Sequence, residues 1–268
     1  MIVATINIIL LAIGGDPVDA AFYCFSFSVL FLIGSIFALI YLMRTPLYQQ
    51  CIEGKSDNSD CEREPDESTQ LISNPSAQDQ EESIDKTVHV PLVLKKIKTE
   101  ATTVFIIYIV TLGLFPAVTV LVESTNSSSG GDWEVKYFVP VACFLIYNIG
   151  DYLGRLLVGT NLAPKICSKF ALGLSILRIV FIPLMLFCNI APSQRHFISV
   201  HFPSDTVYII LVLVLAVTNG YLTSIVMVNA PGKVLDFEQQ TASNLMVGLL
   251  GLGLISGAVL SAGLINVL

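Results

Sequence analysis

Charge is what this sequence has least of. Asp, Glu, Lys and Arg together make up 13% of its 268 residues, about half the share of an ordinary soluble domain. Twelve acidic and six basic residues, about half of that charge, lie between Thr45 and Glu100. The net charge is −7 and no basic patch forms along the chain, so nucleic acid is not an expected partner. Catalytic signatures are also missing: there is no HExxH, no GxSxG and no Walker loop. The three histidines, His89, His196 and His201, fall in connecting stretches, where neither catalysis nor metal binding is expected of them. The six cysteines include no CxxC pair, which fits small buried side chains or free thiols rather than a disulfide or zinc framework. An enzyme, a catalytic residue, a metal and a cofactor are therefore not expected.

What the chain has instead is long apolar runs, with 54% hydrophobic residues overall. A helix needs about 20 such residues to cross the hydrocarbon of a bilayer. Six runs reach that length, at about 20–43, 101–122, 137–159, 170–190, 206–228 and 243–266. The expected fold class is all-α: a polytopic membrane protein with six transmembrane helices. Residues 1–44 read as the tail of a preceding span followed by the first full helix, and no signal peptide is recognisable at the start. Residues 45–100 are rich in Ser, Asp, Glu and Gln with no apolar periodicity, which predicts a disordered acidic loop. Residues 101–268 are expected to form a five-helix transmembrane bundle.

Orientation follows from Lys and Arg near the span ends. Arg44, Lys95, Lys96 and Lys98 flank the long loop, Lys165 and Lys169 follow the third run, and Lys233 follows the fifth. If the spans alternate, these loops share one side, the cytosolic one. Asn126-Ser127-Ser128 is a glycosylation sequon in an opposite loop, and it agrees with that assignment. Glu67 with Leu71 and Ile72 fits an acidic dileucine sorting signal within the cytosolic loop. The expected location is a multi-pass position in the plasma membrane or an endosomal or lysosomal membrane.

The informative residues are the charges inside the runs. A charge at the bilayer centre costs about 2.5–3.5 kcal/mol on insertion scales. Asp151 and Arg155 lie within FVPVACFLIYNIGDYLGRLLVG. Their i, i+4 spacing puts them on one helix face, where they pair. Asn148 extends the polar stripe by one turn. Such a stripe lines a pathway, although Arg155 is also near enough to its helix end to snorkel. Arg178, inside ALGLSILRIVFIPLMLFCN, is deeper; it is either a pathway residue or a clamp between helices. Asn219 and Thr223 share a face in the fifth run, as a site or as interhelical glue. Pro116 sits within LGLFPAVTV, where a proline gives either a hinge or an ordinary kink. Gly253 and Gly257 in the last run mark a packing face.

These stretches resemble the equilibrative nucleoside transporter family. LGLFPAVTV, FLIYNIGDYLGRLL, LRIVFIPLMLFCN and TNGYLTSIVMVNAPGKV follow in the family's order and spacing, with SGAVLS near the end. The opening IGGDPVDAAFYCFSF is similar to the family's entry into its sixth span, so the chain resembles spans six to eleven with the tail of the fifth. Two positions depart from the pattern: Tyr152 stands where the family has Trp, and Ala242-Ser243 where it has Ala-Gly. The resemblance implies a major-facilitator-like fold and passive transport of nucleosides, in some members nucleobases. It implies that Asp151 and Arg155 contact the nucleoside through its ribose hydroxyls, and that Arg178 and Asn219 belong to the same site, joined here by Asn148. It also implies a path between two helical bundles, of which the first is nearly absent. The chain is thus expected to be an incomplete sequence or short form, or to need a partner, either the missing N-terminal bundle or a full-length transporter. The alternative expectation is a transport-incompetent fragment that associates with a full-length transporter and regulates it.

The orientation is open to a direct check. Single cysteines introduced within residues 56–90 should react with an impermeant maleimide only after cells are permeabilised. Labelling on intact cells would reverse the topology.

Overall fold

The computed structural model describes residues 5, 8–9, 17–46, 89–125, 130–160, 166–192 and 200–268. The sequon at Asn126 and the sorting motif at Glu67, Leu71 and Ile72 lie outside the described residues. Six helical stretches among those described are long and apolar enough to cross a membrane: Phe25–Met43, Lys98–Leu121, Trp133–Val158, Ser168–Leu186, Asp205–Lys233 and Asp236–Asn266. The all-α, six-span architecture expected from the apolar runs is what forms. No β-strand occurs among the described residues, only two isolated bridges, Val122 with Ile190 and Cys188 with Phe202.

The chain divides into two units, Pro17–Lys86 and a larger one made of Met1–Asp16 and Thr87–Leu268. The first contains α1 (Pro17–Met43). A proline suits the first position of a helix because its missing N–H would go unused there. From Phe25 on, apolar side chains face every direction, as a helix solvated by lipid requires.

The larger unit begins earlier than expected. Residues 45–100 were expected to lack structure throughout, yet α2 spans Val90–Lys96 and α3 begins at Lys98 and runs to Leu114. The reason is local. Val90, Leu92, Val93, Leu94 and Ile97 are apolar, and Val93 and Ile97 are fully buried in the cluster that holds Val104, Ile107 and Met246.

Three helices are interrupted where proline dictates. Phe115 leaves helical geometry at φ −104° and ψ 130°, because the residue before a proline is steered out of the α region. Pro116 therefore stands just beyond the end of α3 rather than inside a continuous helix, and a short 3-10 turn, Thr119–Leu121, follows. Wide π-helical turns, Trp133–Tyr137 and Val139–Leu145, lead into α4 (Ile146–Val158); Pro140 has no N–H to give to that ladder. The fourth span is α5 (Ser168–Leu177), a tight turn at Arg178–Val180, and α6 (Phe181–Leu186). Pro183 cannot donate to the carbonyl of Ile179 and crowds it, which tightens the helix next to Arg178.

The last two spans are α7 (Asp205–Asn229) and α8 (Gln239–Val267). Asp205 in the first turn of α7 accepts hydrogen bonds from Ser124 Oγ at 2.6 Å and from the Thr125 N–H at 2.8 Å, so the loop after α3 is anchored there. α8 lies along α3 through its glycines. A β-carbon on Gly257 would fall 2.9 Å from the Tyr108 carbonyl, and one on Gly253 3.0 Å from that of Phe105. Gly253 and Gly257 thus form the packing face the sequence suggested.

Two apolar clusters fill the unit. One gathers Val110, Leu114, Phe138, Tyr208, Leu215 and Ala216; the other gathers Val104, Ile107, Leu222, Ile225 and Met246. Two ion pairs close the end where α2 meets the connector from α7 to α8. Lys96 Nζ lies 2.6 Å from Glu238 Oε2, and Lys233 pairs with Glu100. Glu100 is fully buried, whereas the Lys233 side chain is 37% exposed.

Removing the cation from a buried pair costs about 3–5 kcal/mol when both partners are sealed. Lys233→Met should fall below that range because Lys233 is partly solvated. Its thermal midpoint in detergent should drop by several degrees, and Glu100→Gln in the same chain should recover most of the loss. A single variant as stable as wild type would show that the pair contributes nothing.

Candidate functional site

Between the two apolar clusters lies a single polar layer. Along α3, Thr111 follows Ile107 of one cluster and precedes Leu114 of the other; along α7, Asn219 stands between Ala216 and Leu222. Arg178 enters the same layer from the tight turn between α5 and α6. Asp151 and Arg155 enter it from α4. Four segments from distant parts of the sequence therefore meet at one depth.

Close helix contact makes this meeting possible. α4 and α7 cross through small residues. A β-carbon on Gly150 would fall 2.8 Å from that of Ala216, one on Gly154 would run into the Val217 carbonyl, and one on Gly220 into the Asp151 carbonyl. Only glycine lets the backbones approach this closely, and the approach puts the amide of Asn219 within reach of α4.

The layer is one chain of hydrogen bonds. Arg155 Nε donates to Asp151 Oδ2 at 2.8 Å. Asn219 Nδ2 donates to Asp151 Oδ1 at 2.7 Å. Thr111 Oγ1 donates to Asn219 Oδ1 at 2.8 Å, and Arg178 Nη2 donates to Thr111 Oγ1 at 2.9 Å. Arg178 Nη1 donates to the Leu215 carbonyl at 2.9 Å and also bonds Thr218 Oγ1. The chain runs from a buried cation through two neutral groups to a carboxylate, with a second cation on its far side.

Exposure separates its members. Arg178 and Asn219 are 2% and 3% exposed, so both stand behind the carboxylate. The Asp151 and Arg155 side chains are 20% and 45% exposed and form the open end. Tyr152, Leu153 and Leu156 on α4 are exposed beside them. Asn148, one turn earlier, donates from Nδ2 to the Phe144 carbonyl at 2.8 Å. Tyr108 of α3 stands beside the Arg155 guanidinium. Phe115 and Tyr147 stack at 3.8 Å with an 8° interplanar angle, and Phe144 meets Phe115 edge-on at 5.7 Å. Tyr147 lies within electrostatic reach of both Asp151 and Arg178.

The sequence singled out Asp151, Arg155, Asn148, Arg178 and Asn219. The structure joins Asp151, Arg155 and Asn219 directly, brings in Arg178 through Thr111, and puts Asn148 on the adjoining turn. Thr223 shares the buried face of α7, but its hydroxyl has no partner among the described residues. Sequence reasoning missed Thr111 and Thr218. Their one signal is a hydroxyl inside an apolar span, which is too common to single out. Pro116 lies at the end of α3, one residue past the stacked Phe115.

Chemically, the open end presents a carboxylate whose two oxygens are already held, with lone pairs to spare, beside a guanidinium with free N–H donors. That combination suits a pair of neighbouring hydroxyls on an uncharged ligand. Among the described residues no cluster of His, Cys, Asp and Glu is arranged to hold a metal ion.

Comparison with known proteins gives a single direction. Residues 1–265 match the family model described as nucleoside transporter. Equilibrative nucleoside transporter 1 of Homo sapiens is 43% identical over 169 residues, which cover 63% of this chain and 36% of that protein. Equilibrative nucleoside transporter 2 of Homo sapiens is 41% identical over 169 residues, with the same coverage. Equilibrative nucleotide transporter 8 of Arabidopsis thaliana is 34% identical over 177 residues, covering 66% of this chain and 41% of that protein. The matched stretch thus spans little more than a third of these relatives' length. Six apolar spans, a paired Asp and Arg within one of them and a family model that covers nearly every residue agree: the chain belongs to the nucleoside transporter family.

Proposed function

We propose that this chain supplies one wall of a path for facilitated nucleoside transport across a membrane, and that Asp151 and Arg155 are its contact with the sugar. The observation that carries the reading is the half-exposed ion pair at membrane depth, held from behind by Asn219. A pair serving packing alone would be sealed on every side. Here the hydrogen bonds run toward Asp151 from the buried side and leave its outer face open.

In this reading the Asp151 carboxylate accepts hydrogen bonds from the two ribose hydroxyls. Arg155 orients the carboxylate through its Nε hydrogen bond and donates to the same sugar. Asn148 lines the approach one turn away. Asn219 and Arg178 belong to the site without touching the substrate in this conformation; they fix the carboxylate. No covalent step and no cofactor is involved. The gain comes from replacing the water around the sugar hydroxyls with fixed donors and acceptors, which costs little reorganisation. Pro116, at the junction of α3 and the following turn, is placed to absorb a change in backbone direction during the transport cycle.

The open end needs an opposite wall. An ion pair facing lipid is unfavourable, so a second bundle, on the same polypeptide or another, faces Asp151 during transport. The acidic loop then lies in the cytosol, and the membrane is the plasma membrane or an endosomal or lysosomal one.

Co-expression of this chain with the N-terminal spans of a relative should give saturable uptake of labelled uridine, while the chain alone inserts without uptake. In the pair, Asp151→Ala leaves Arg155 and Asn219 without their acceptor. Such truncations cost about 2–5 kcal/mol, so uptake should fall at least about thirtyfold at equal surface expression. Unchanged uptake would sink the assignment of Asp151. Uptake by the purified, monomeric chain would instead remove the need for a second wall.

A further inference from the structure

Three segments meet at the hydroxyl of Thr111: α3 itself, the turn that carries Arg178, and α7. Arg178 Nη2 donates to this hydroxyl, which donates to Asn219 Oδ1. We propose that Thr111 is a positioning residue for sugar recognition: its single hydroxyl sets which way the Asn219 amide points, and thereby where the Asp151 carboxylate is held. The proposal rests on the sugar contact at Asp151 put forward above.

The argument is one of direction. A guanidinium can only donate hydrogen bonds. Once Arg178 Nη2 occupies a lone pair of Thr111 Oγ1, the hydroxyl proton is free to go forward, and Asn219 Oδ1 is the acceptor at 2.8 Å. That leaves the NH2 of Asn219 turned to Asp151 Oδ1 at 2.7 Å. Reversing the amide would set its oxygen against a carboxylate and its NH2 against a hydroxyl already receiving a donor. The buried charge of Arg178 thus favours one orientation of an amide two hydrogen bonds away, and among the described residues Thr111 links the two. Without the hydroxyl, Asn219 Oδ1 loses its partner, and the amide is held only by its bond to Asp151. Asp151 then rests on an amide no longer braced from behind, beside an Arg155 side chain that is 45% exposed.

Thr111 is one of three partners of Arg178, which without it keeps the Leu215 carbonyl and Thr218. It is a single small side chain, and removal of its hydroxyl leaves the apolar clusters on either side of it intact. Its substitution by valine keeps the branched shape and removes only the hydrogen bonds; serine keeps the hydroxyl and removes a methyl.

The test uses the transporting pair described above, with uptake of uridine and of 3′-deoxyuridine measured against surface protein. Thr111→Val should raise the KM for uridine about tenfold with the maximal rate near wild type. Its preference for uridine over the deoxy analogue should shrink toward one, and Thr111→Ser should keep both values near wild type. Asp151→Asn serves as the reference. If it abolishes the preference while Thr111→Val keeps wild-type KM and preference, the inference about Thr111 is wrong and the sugar contact stands. If Asp151→Asn itself leaves KM and preference unchanged, the sugar contact fails and Thr111 with it. Equal loss of uptake for both nucleosides in Thr111→Val, in step with lost surface protein, would show a structural role and overturn the proposal; a purely structural hydroxyl has no reason to distinguish one sugar from another.

Discussion

A guanidinium sealed inside a membrane protein destabilises the fold unless it finds acceptors. Arg178 is 2% exposed, and no carboxylate contacts it directly among the described residues. Its two terminal nitrogens donate to a carbonyl of α7 and to two threonine hydroxyls, while its Nε has no partner among the described residues. The tight turn at Arg178–Val180 holds its backbone, with Pro183 just beyond. This one requirement draws α3, α7 and the broken fourth span to a common point. Through Thr111 and Asn219 it then determines what reaches Asp151. A buried cation and an exposed carboxylate on different helices become parts of one polar layer between two apolar clusters, and a layer of this kind is costly unless every member is partnered.

The second constraint is steric. Gly150, Gly154 and Gly220 let α4 and α7 approach to backbone contact, and lipid gives helices no hydrophobic drive to associate otherwise. Larger residues would separate the helices and carry Asn219 out of range of Asp151. The glycines and the polar layer are therefore coupled. The crossing exists at a distance where the amide-carboxylate hydrogen bond closes, and that bond adds an oriented interaction to an otherwise featureless interface. α4 shows one face to α7 and leaves Asp151 and Arg155 at the edge of the other.

Much of this was legible in the residues. Long apolar runs pointed to six spans, and the described residues hold six helical stretches of that length. Charges where a bilayer tolerates few identified Asp151, Arg155 and Arg178, and the i, i+4 spacing paired the first two. Other features were hidden for physical reasons. Threonine is common in membrane helices, where its hydroxyl often bonds its own backbone, so nothing in YIVTLGLFP marked Thr111. Arg178 was expected to be either a pathway residue or a clamp between helices; its engagement by a carbonyl of α7 and by hydroxyls of α3 and α7 depends on tertiary contacts. Val90 to Glu100 read as the tail of a polar loop because a few apolar residues among lysines carry little periodicity, yet Val93 and Ile97 are buried by partners far along the chain. Pro116 was placed inside a span because hydropathy continues through LGLFPAVTV, while the backbone stops its helix one residue earlier.

The central claim is that the buried chain of hydrogen bonds holds Asp151 ready for a sugar. An experimental structure of the chain assembled with a second bundle, determined with uridine bound, tests it most directly. The expected result is a pair of ribose hydroxyls within about 3 Å of the Asp151 carboxylate, with the Asn219 amide and Thr111 in their present places. Uridine bound elsewhere, with no ribose hydroxyl near the Asp151 carboxylate, would contradict it.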